Sequence, residues 1–94
     1  MEETEIKLLL EGIVEDLASI EHERWAHWQQ YMHGKGIRQP DGSLVLPSEL
    51  VSRWEDQIAT PYAELSEDEK QSDREQIHRY LPRIAAEIRK RWAE

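Results

Sequence analysis

From Ile6 the apolar residues recur as Leu10, Ile13, Leu17 and Ile20, in steps of three and four that place them on one helical stripe. The spacing predicts a first helix over about residues 4–33. Trp25, Trp28 and Met32 carry the steps onward, while Arg24 and His27 stand where a strict repeat would be apolar, so the second half of this helix meets different surroundings. Glu2, Glu3 and Glu5 suit the positive end of the helix dipole, and Gly34 and Gly36 supply the positions that end it.

Residues 34–47 hold three of the four glycines and two of the four prolines, and Pro40-Asp41-Gly42-Ser43 reads as a tight turn. Ile37 and Leu44-Val45-Leu46 flank that turn, which leaves open both a plain loop and a short β-hairpin. Pro47 fits the first turn of a second helix, whose Leu50, Val51, Trp54 and Ile58 share a face. Ala59-Thr60-Pro61-Tyr62 is extended, because a residue before proline avoids the helical region. Ser66 and Glu69 have the spacing of a capping box, so a third helix begins at Ser66. Ile77, Leu81, Ile84, Ile88 and Trp92 hold one stripe along it, and Pro82 is expected to kink it. The fold expected is mainly α: a small three-helix bundle with a long N-terminal helix, a Gly/Pro loop and a kinked C-terminal helix, forming a single domain over residues 1–94.

Composition narrows the functions open to such a bundle. Twelve Lys and Arg against 20 Asp and Glu give a net charge of −8, which repels a polyanion and argues against long nucleic acid or an anionic membrane surface as partner. No apolar run approaches the roughly 18 residues that span a bilayer, and the Leu8–Leu10 run is too short for a signal peptide, so a cytoplasmic location is expected. Without cysteine there is neither a disulfide nor a thiolate zinc site. Charge is also uneven: the first helix opens acidic, whereas Arg79, Arg83, Arg89, Lys90 and Arg91 make the last one basic. Pairing of those helices is the first reading of that asymmetry, and a phosphate-binding patch the second.

Two segments carry a resemblance. His22-Glu23-Arg24-Trp25, preceded by Leu17 and Glu21, and the stretch from Thr60 to Arg74 (TPYAELSEDEKQSDR) resemble the two signatures of the ryanodine-receptor repeat domain. Between them this chain departs from the family, which usually carries a G-W-x-Y-G stretch; here the loop reads Gly34-Lys35-Gly36-Ile37-Arg38 and is followed by the Trp54 helix. The family occurs as paired repeats in calcium-release channels and as small bacterial and phage proteins associated with nucleotide-signalled defence. The resemblance implies a binding module rather than a catalyst, with a nucleotide-derived small molecule as ligand.

The residues that can serve such a ligand are aromatic and basic. Trp25, Trp28, Trp54 and Tyr62 offer faces on which a base stacks, and Arg24, Arg38, Lys70 and Arg74 offer charge for phosphate, with His22 as a further donor. The competing reading of the same residues is structural. In a chain without phenylalanine, tryptophan supplies most aromatic bulk, so Trp28, Trp54 and Trp92 are read first as core, and Trp25 equally as core or ligand face. His22 is read first as a satisfied structural histidine, and Lys70 and Arg74, four apart, as intrahelical partners of nearby carboxylates. Glu23 and His27 are four apart, but no third ligand stands beside them, and no serine has a nucleophile context, so no metal, cofactor or catalytic residue is expected. Two functions follow: a ligand-binding domain that sequesters a nucleotide signal as a homo-oligomer, in the manner of a phage anti-defence sponge, or a protein-interaction and oligomerisation module without a small ligand.

Overall fold

The computed structural model describes residues 1–93 and is mainly helical. In chain order the elements are α1 (Glu3–Glu11), α2 (Val14–Lys35), β1 (Ile37–Arg38), β2 (Leu44–Val45), α3 (Ser48–Ala59), a short 3₁₀ turn (Tyr62–Glu64) and α4 (Glu67–Ala93). The long first helix expected from periodicity is in fact two, so the described residues hold four α-helices. The break falls at Gly12, a poor helix former with no side chain to pack. Its N–H reaches the carbonyls of both Leu8 (3.1 Å) and Leu9 (3.2 Å), and Ile13 N–H then bonds Leu10 three residues back (3.1 Å), which tightens the last turn and ends α1. The inward face of α1 also differs from the expected stripe. Leu9 and Ile13, 2% and 0% exposed, are the fully buried hydrophobic side chains among the described residues, whereas Ile6 and Leu10 of the expected stripe are exposed.

The chain divides into two compact units. The first comprises Met1–Arg24 and Ser72–Glu94. There α4 runs antiparallel to the first half of α2: Arg83 Nε bonds Asp16 Oδ2 at 2.6 Å, Tyr80 donates its hydroxyl to Glu21, and Arg79 Nη2 bonds Glu23 Oε2 at 2.7 Å. Part of the charge asymmetry along the chain is thus spent on pairing these helices, as the first reading had it. α4 continues without interruption through Pro82, whose ring removes the N–H that would bond the carbonyl of His78. Trp92, read first as core, is 76% exposed, and Ile77, Leu81 and Ile88 of the expected stripe are exposed as well.

The second unit is Trp25–Gln71. Of the two readings left open for its loop, the hairpin is the one adopted, with Ile37 opposite Val45 and Arg38 opposite Leu44. Gln39 N–H bonds Ser43 O at 2.8 Å and Gly42 N–H bonds Gln39 O at 2.9 Å, a turn with Pro40 second and Gly42, at φ 91°, last. Asp41 Oδ1 accepts from both the N–H (2.9 Å) and the hydroxyl (2.6 Å) of Ser43, which locks the turn and lowers the Asp41 pKa. Gly36 lets β1 start close to Leu44, since a Cβ there would stand 3.2 Å from that side chain. α3 begins after Pro47, one position later than expected, and ends at Thr60, whose hydroxyl bonds the Asp56 carbonyl and whose backbone is extended before Pro61.

The start of α4 is capped as the sequence indicates. Ser66 Oγ accepts from Glu69 N–H at 3.2 Å and donates to Glu69 Oε1 at 2.8 Å, and this bond lowers the Glu69 pKa. Replacing Ser66 by alanine is expected to cost about 1 kcal/mol of stability, read from urea unfolding, while Ser72→Ala is expected to be nearly neutral. Equal losses from the two would show that the cap contributes nothing.

Candidate functional site

Aromatic residues meet in the second unit. Trp28 on α2 stands edge-on to Trp54 on α3, with ring centroids 5.4 Å apart and planes at 76°. Tyr31, one turn after Trp28, stacks on it at 5.7 Å and 28°. Both geometries suit the ring quadrupole. Trp54 is half-buried, and Trp28 remains 39% exposed, so the cluster is neither sealed core nor an isolated surface pair. Trp25, 52% exposed, stands three residues before Trp28 on α2.

Two cations sit over rings in the same unit. Lys35 Nζ is 5.4 Å from the Tyr31 centroid, and Lys70 Nζ is 5.8 Å from that of Tyr62 on the 3₁₀ turn. The first follows from helical spacing, since Lys35 is four residues beyond Tyr31. The second pair is brought together because Leu65 and Ser66 turn the chain from the 3₁₀ turn into α4. Arg38 bends back across the hairpin, donating from Nη1 to Gly42 O at 3.0 Å. The second unit therefore contains Trp25, Trp28, Arg38, Trp54, Tyr62 and Lys70 of the expected residues, and adds Tyr31 and Lys35. Tyr31 was legible from its three-residue step after Trp28, and Lys35 from the four-residue step after Tyr31.

The other expected residues belong to the first unit. His22 is exposed on α2 and Arg74 half-buried on α4. Arg24 is committed to a neighbour: its Nε lies 3.1 Å from each oxygen of Glu21, and its Nη2 bonds the same carboxylate. Glu21 also accepts the Tyr80 hydroxyl. Arg24 first and Tyr80 second favour the ionised carboxylate, and together they pull the Glu21 pKa from 4.5 down to about 2. The same contacts raise the pKa values of Arg24 and Tyr80. The Glu21–Arg24 half of this cluster is visible in the sequence as an i,i+3 pair; Tyr80 lies 59 positions away and gives no local signal.

A carboxylate whose pKa falls on folding stabilises the folded state above its unfolded value and loses that contribution as pH drops toward the folded one. The Glu21 contribution is therefore complete above about pH 4.5 and fades between there and about pH 2. Urea midpoints measured across this window are expected to fall more steeply for the wild type than for Glu21→Gln. Parallel curves would show that Glu21 titrates alike in both states.

Among the described residues no group of three or more His, Asp or Glu side chains is placed to hold a metal ion, and no helix is long and apolar enough to cross a membrane. Comparison of the chain with protein-family models, with curated proteins and with solved structures returns no match.

Proposed function

We propose that this chain is a non-enzymatic domain of the ryanodine-receptor repeat type that binds a nucleotide-derived small molecule and works by sequestration, as a homo-oligomer in the cytoplasm. The observation that carries this reading is the coincidence in the second unit of half-open rings, Trp28 and Tyr31, with cations over aromatic faces, Lys35 and Lys70. A nucleotide asks for both: a ring face for the base, worth about 1–3 kcal/mol per stacked base, and fixed positive charge for phosphate. Local pairs of cation and ring in a chain of net charge −8 also favour a small anion over a polyanion, whose length would meet the surrounding acidic surface.

The test is a thermal-shift screen with linear, cyclic di- and cyclic trinucleotides and ADP-ribose derivatives. Ligand at a hundred times its Kd adds about 2.7 kcal/mol, or about 10 °C or more in a domain this small. Lys35→Ala is expected to weaken a hit several-fold while lowering the unliganded Tm by no more than about 8 °C, because an exposed cation–π contact is worth only about 0.5–1 kcal/mol. A flat screen overturns the reading.

A second reading, an interaction module without small ligand, is favoured by one observation. Leu9 and Ile13 are buried, while many large apolar side chains, among them Leu8, Ile77 and Trp92, stay exposed.

A further inference from the structure

On α4 the side chains that pair with α2 and the side chains that are large and apolar lie on different faces. Tyr80 and Arg83 bond Glu21 and Asp16 of α2, and Glu87, on their side of the helix, is half-buried. Leu81 follows Tyr80 and so stands about 100° round the helix from it. There it shares a stripe with Ile77, Ile88 and Trp92, all between 43% and 76% exposed, and with half-buried Ile84. The steps of four, three and four from Ile77 through Leu81 and Ile84 to Ile88 are the heptad spacing that keeps an apolar seam turned toward a second helix. Four large apolar side chains left open to this degree put on the order of 400–500 Å² of one stripe in water, the upper end of what a monomer carries and more than half of the about 800 Å² that each partner of a standard interface buries.

The charge along α4 makes this stripe complementary to itself. Residues 67–75 hold five acidic and two basic side chains, and residues 79–91 five basic and one acidic. Two α4 helices laid side by side in the same direction set acid on acid and base on base, whereas reversed helices set acid on base and oppose their dipoles. The reversed pairing that lays Leu81 on Ile84 and Ile77 on Ile88 also brings Asp73 and Arg74 level with Arg91 and Trp92, a carboxylate against a guanidinium and a guanidinium against an indole. In a chain of net charge −8 random encounters between copies repel, so a surface whose acidic half answers its own basic half selects this orientation.

We propose that the exposed stripe of α4 is covered by α4 of a second copy of this chain, in a twofold antiparallel pair with Leu81 against Ile84 and Ile77 against Ile88. The same patch is used on both copies, so the contact closes as a dimer. It names the contact behind the homo-oligomer of the proposed function but requires no ligand, and a flat nucleotide screen leaves it untouched.

Analytical ultracentrifugation and cross-linking of the full chain test it. The wild type is expected to sediment as a dimer, and Leu81→Glu, at an exposed position, to weaken association at least about tenfold with helical circular dichroism unchanged. The chain has no cysteine, so single cysteines report the register. Ile77→Cys and Ile88→Cys, refolded together and mildly oxidised, are expected to give a covalent dimer. Either variant alone is expected to give none, because eleven residues of helix separate each such position from its twin by about 16 Å, beyond the reach of a disulfide. If Leu81→Glu fails to fold, the cross-links decide. A wild type that stays monomeric, a covalent dimer from Ile77→Cys alone, or none from the mixture overturns the proposal.

Discussion

Replacing Leu9 by alanine is expected to lower the free energy of unfolding by about 3 kcal/mol, whereas the same change at its neighbour Leu10 is expected to cost under about 1 kcal/mol. Leu9 is 2% exposed, and truncating it both returns apolar surface to water and leaves a cavity. Leu10 stands 38% exposed, so little packing is lost there and water fills the space. In a domain of this size a loss of 3 kcal/mol lowers Tm by about 12–20 °C, a large fraction of total stability. Urea unfolding followed by circular dichroism reads both variants. The reverse order of effects would mean that the helix runs unbroken through Gly12 with the stripe of Ile6, Leu10 and Ile13 inward, and would refute the register described for α1.

That pair of leucines also shows how far the sequence could be read. Periodicity located helical character from Ile6 to Met32 correctly, because steps of three and four survive a one-turn interruption. For the same reason periodicity could not reveal the interruption: Ile13 and Leu17 keep their spacing across it, and only the carbonyl contacts of Gly12 show that α1 has ended. The inward face of α1 is set by what it packs on, and the isolated pattern chose Leu10 where tertiary packing chose Leu9. The local signals fared better. Ser66 with Glu69, Thr60 before Pro61, and Pro40-Asp41-Gly42 each encode a hydrogen bond or dihedral within four residues, and each forms. The hairpin stayed undecided because strands of two residues carry no alternation to read.

Among the site residues the legible part was again local. The steps from Trp28 to Tyr31 to Lys35 are fixed by one helix. The meeting of Trp28 with Trp54, and of Tyr80 with Glu21, depends on where separate helices pass, which spacing along the chain does not contain. Arg24 illustrates the cost of that blindness. It was read as a phosphate partner, yet Glu21 and Tyr80 build a charged cluster around it, and a phosphate would have to compete with a carboxylate held ionised down to about pH 2. The arginine of the His22–Trp25 motif is thus held in a cluster that joins α2 to α4 in the first unit, whereas Lys35 and Lys70 in the second stand over aromatic rings.

Trp54→Ala is the second large effect expected, about 2–4 kcal/mol, because this half-buried ring meets Trp28 edge-on and holds α3 against α2. Trp28→Ala should cost a similar amount, and the double variant less than the sum. A coupling of about 1 kcal/mol is expected from an edge-to-face pair. The two rings then part company in function. Trp54 uses its edge contact to fix α3, while Trp28, 39% exposed, is the ring on which the proposed function would seat a base. Trp54→Phe should preserve most of the stability and any nucleotide affinity, whereas Trp28→Phe should preserve stability but lose affinity through its smaller face. A Trp54→Ala variant within about 0.5 kcal/mol of the wild type would show that the rings touch without holding the unit together. The aromatic cluster would then be a surface feature, and binding, rather than packing, would have to account for its presence in a chain that contains no phenylalanine.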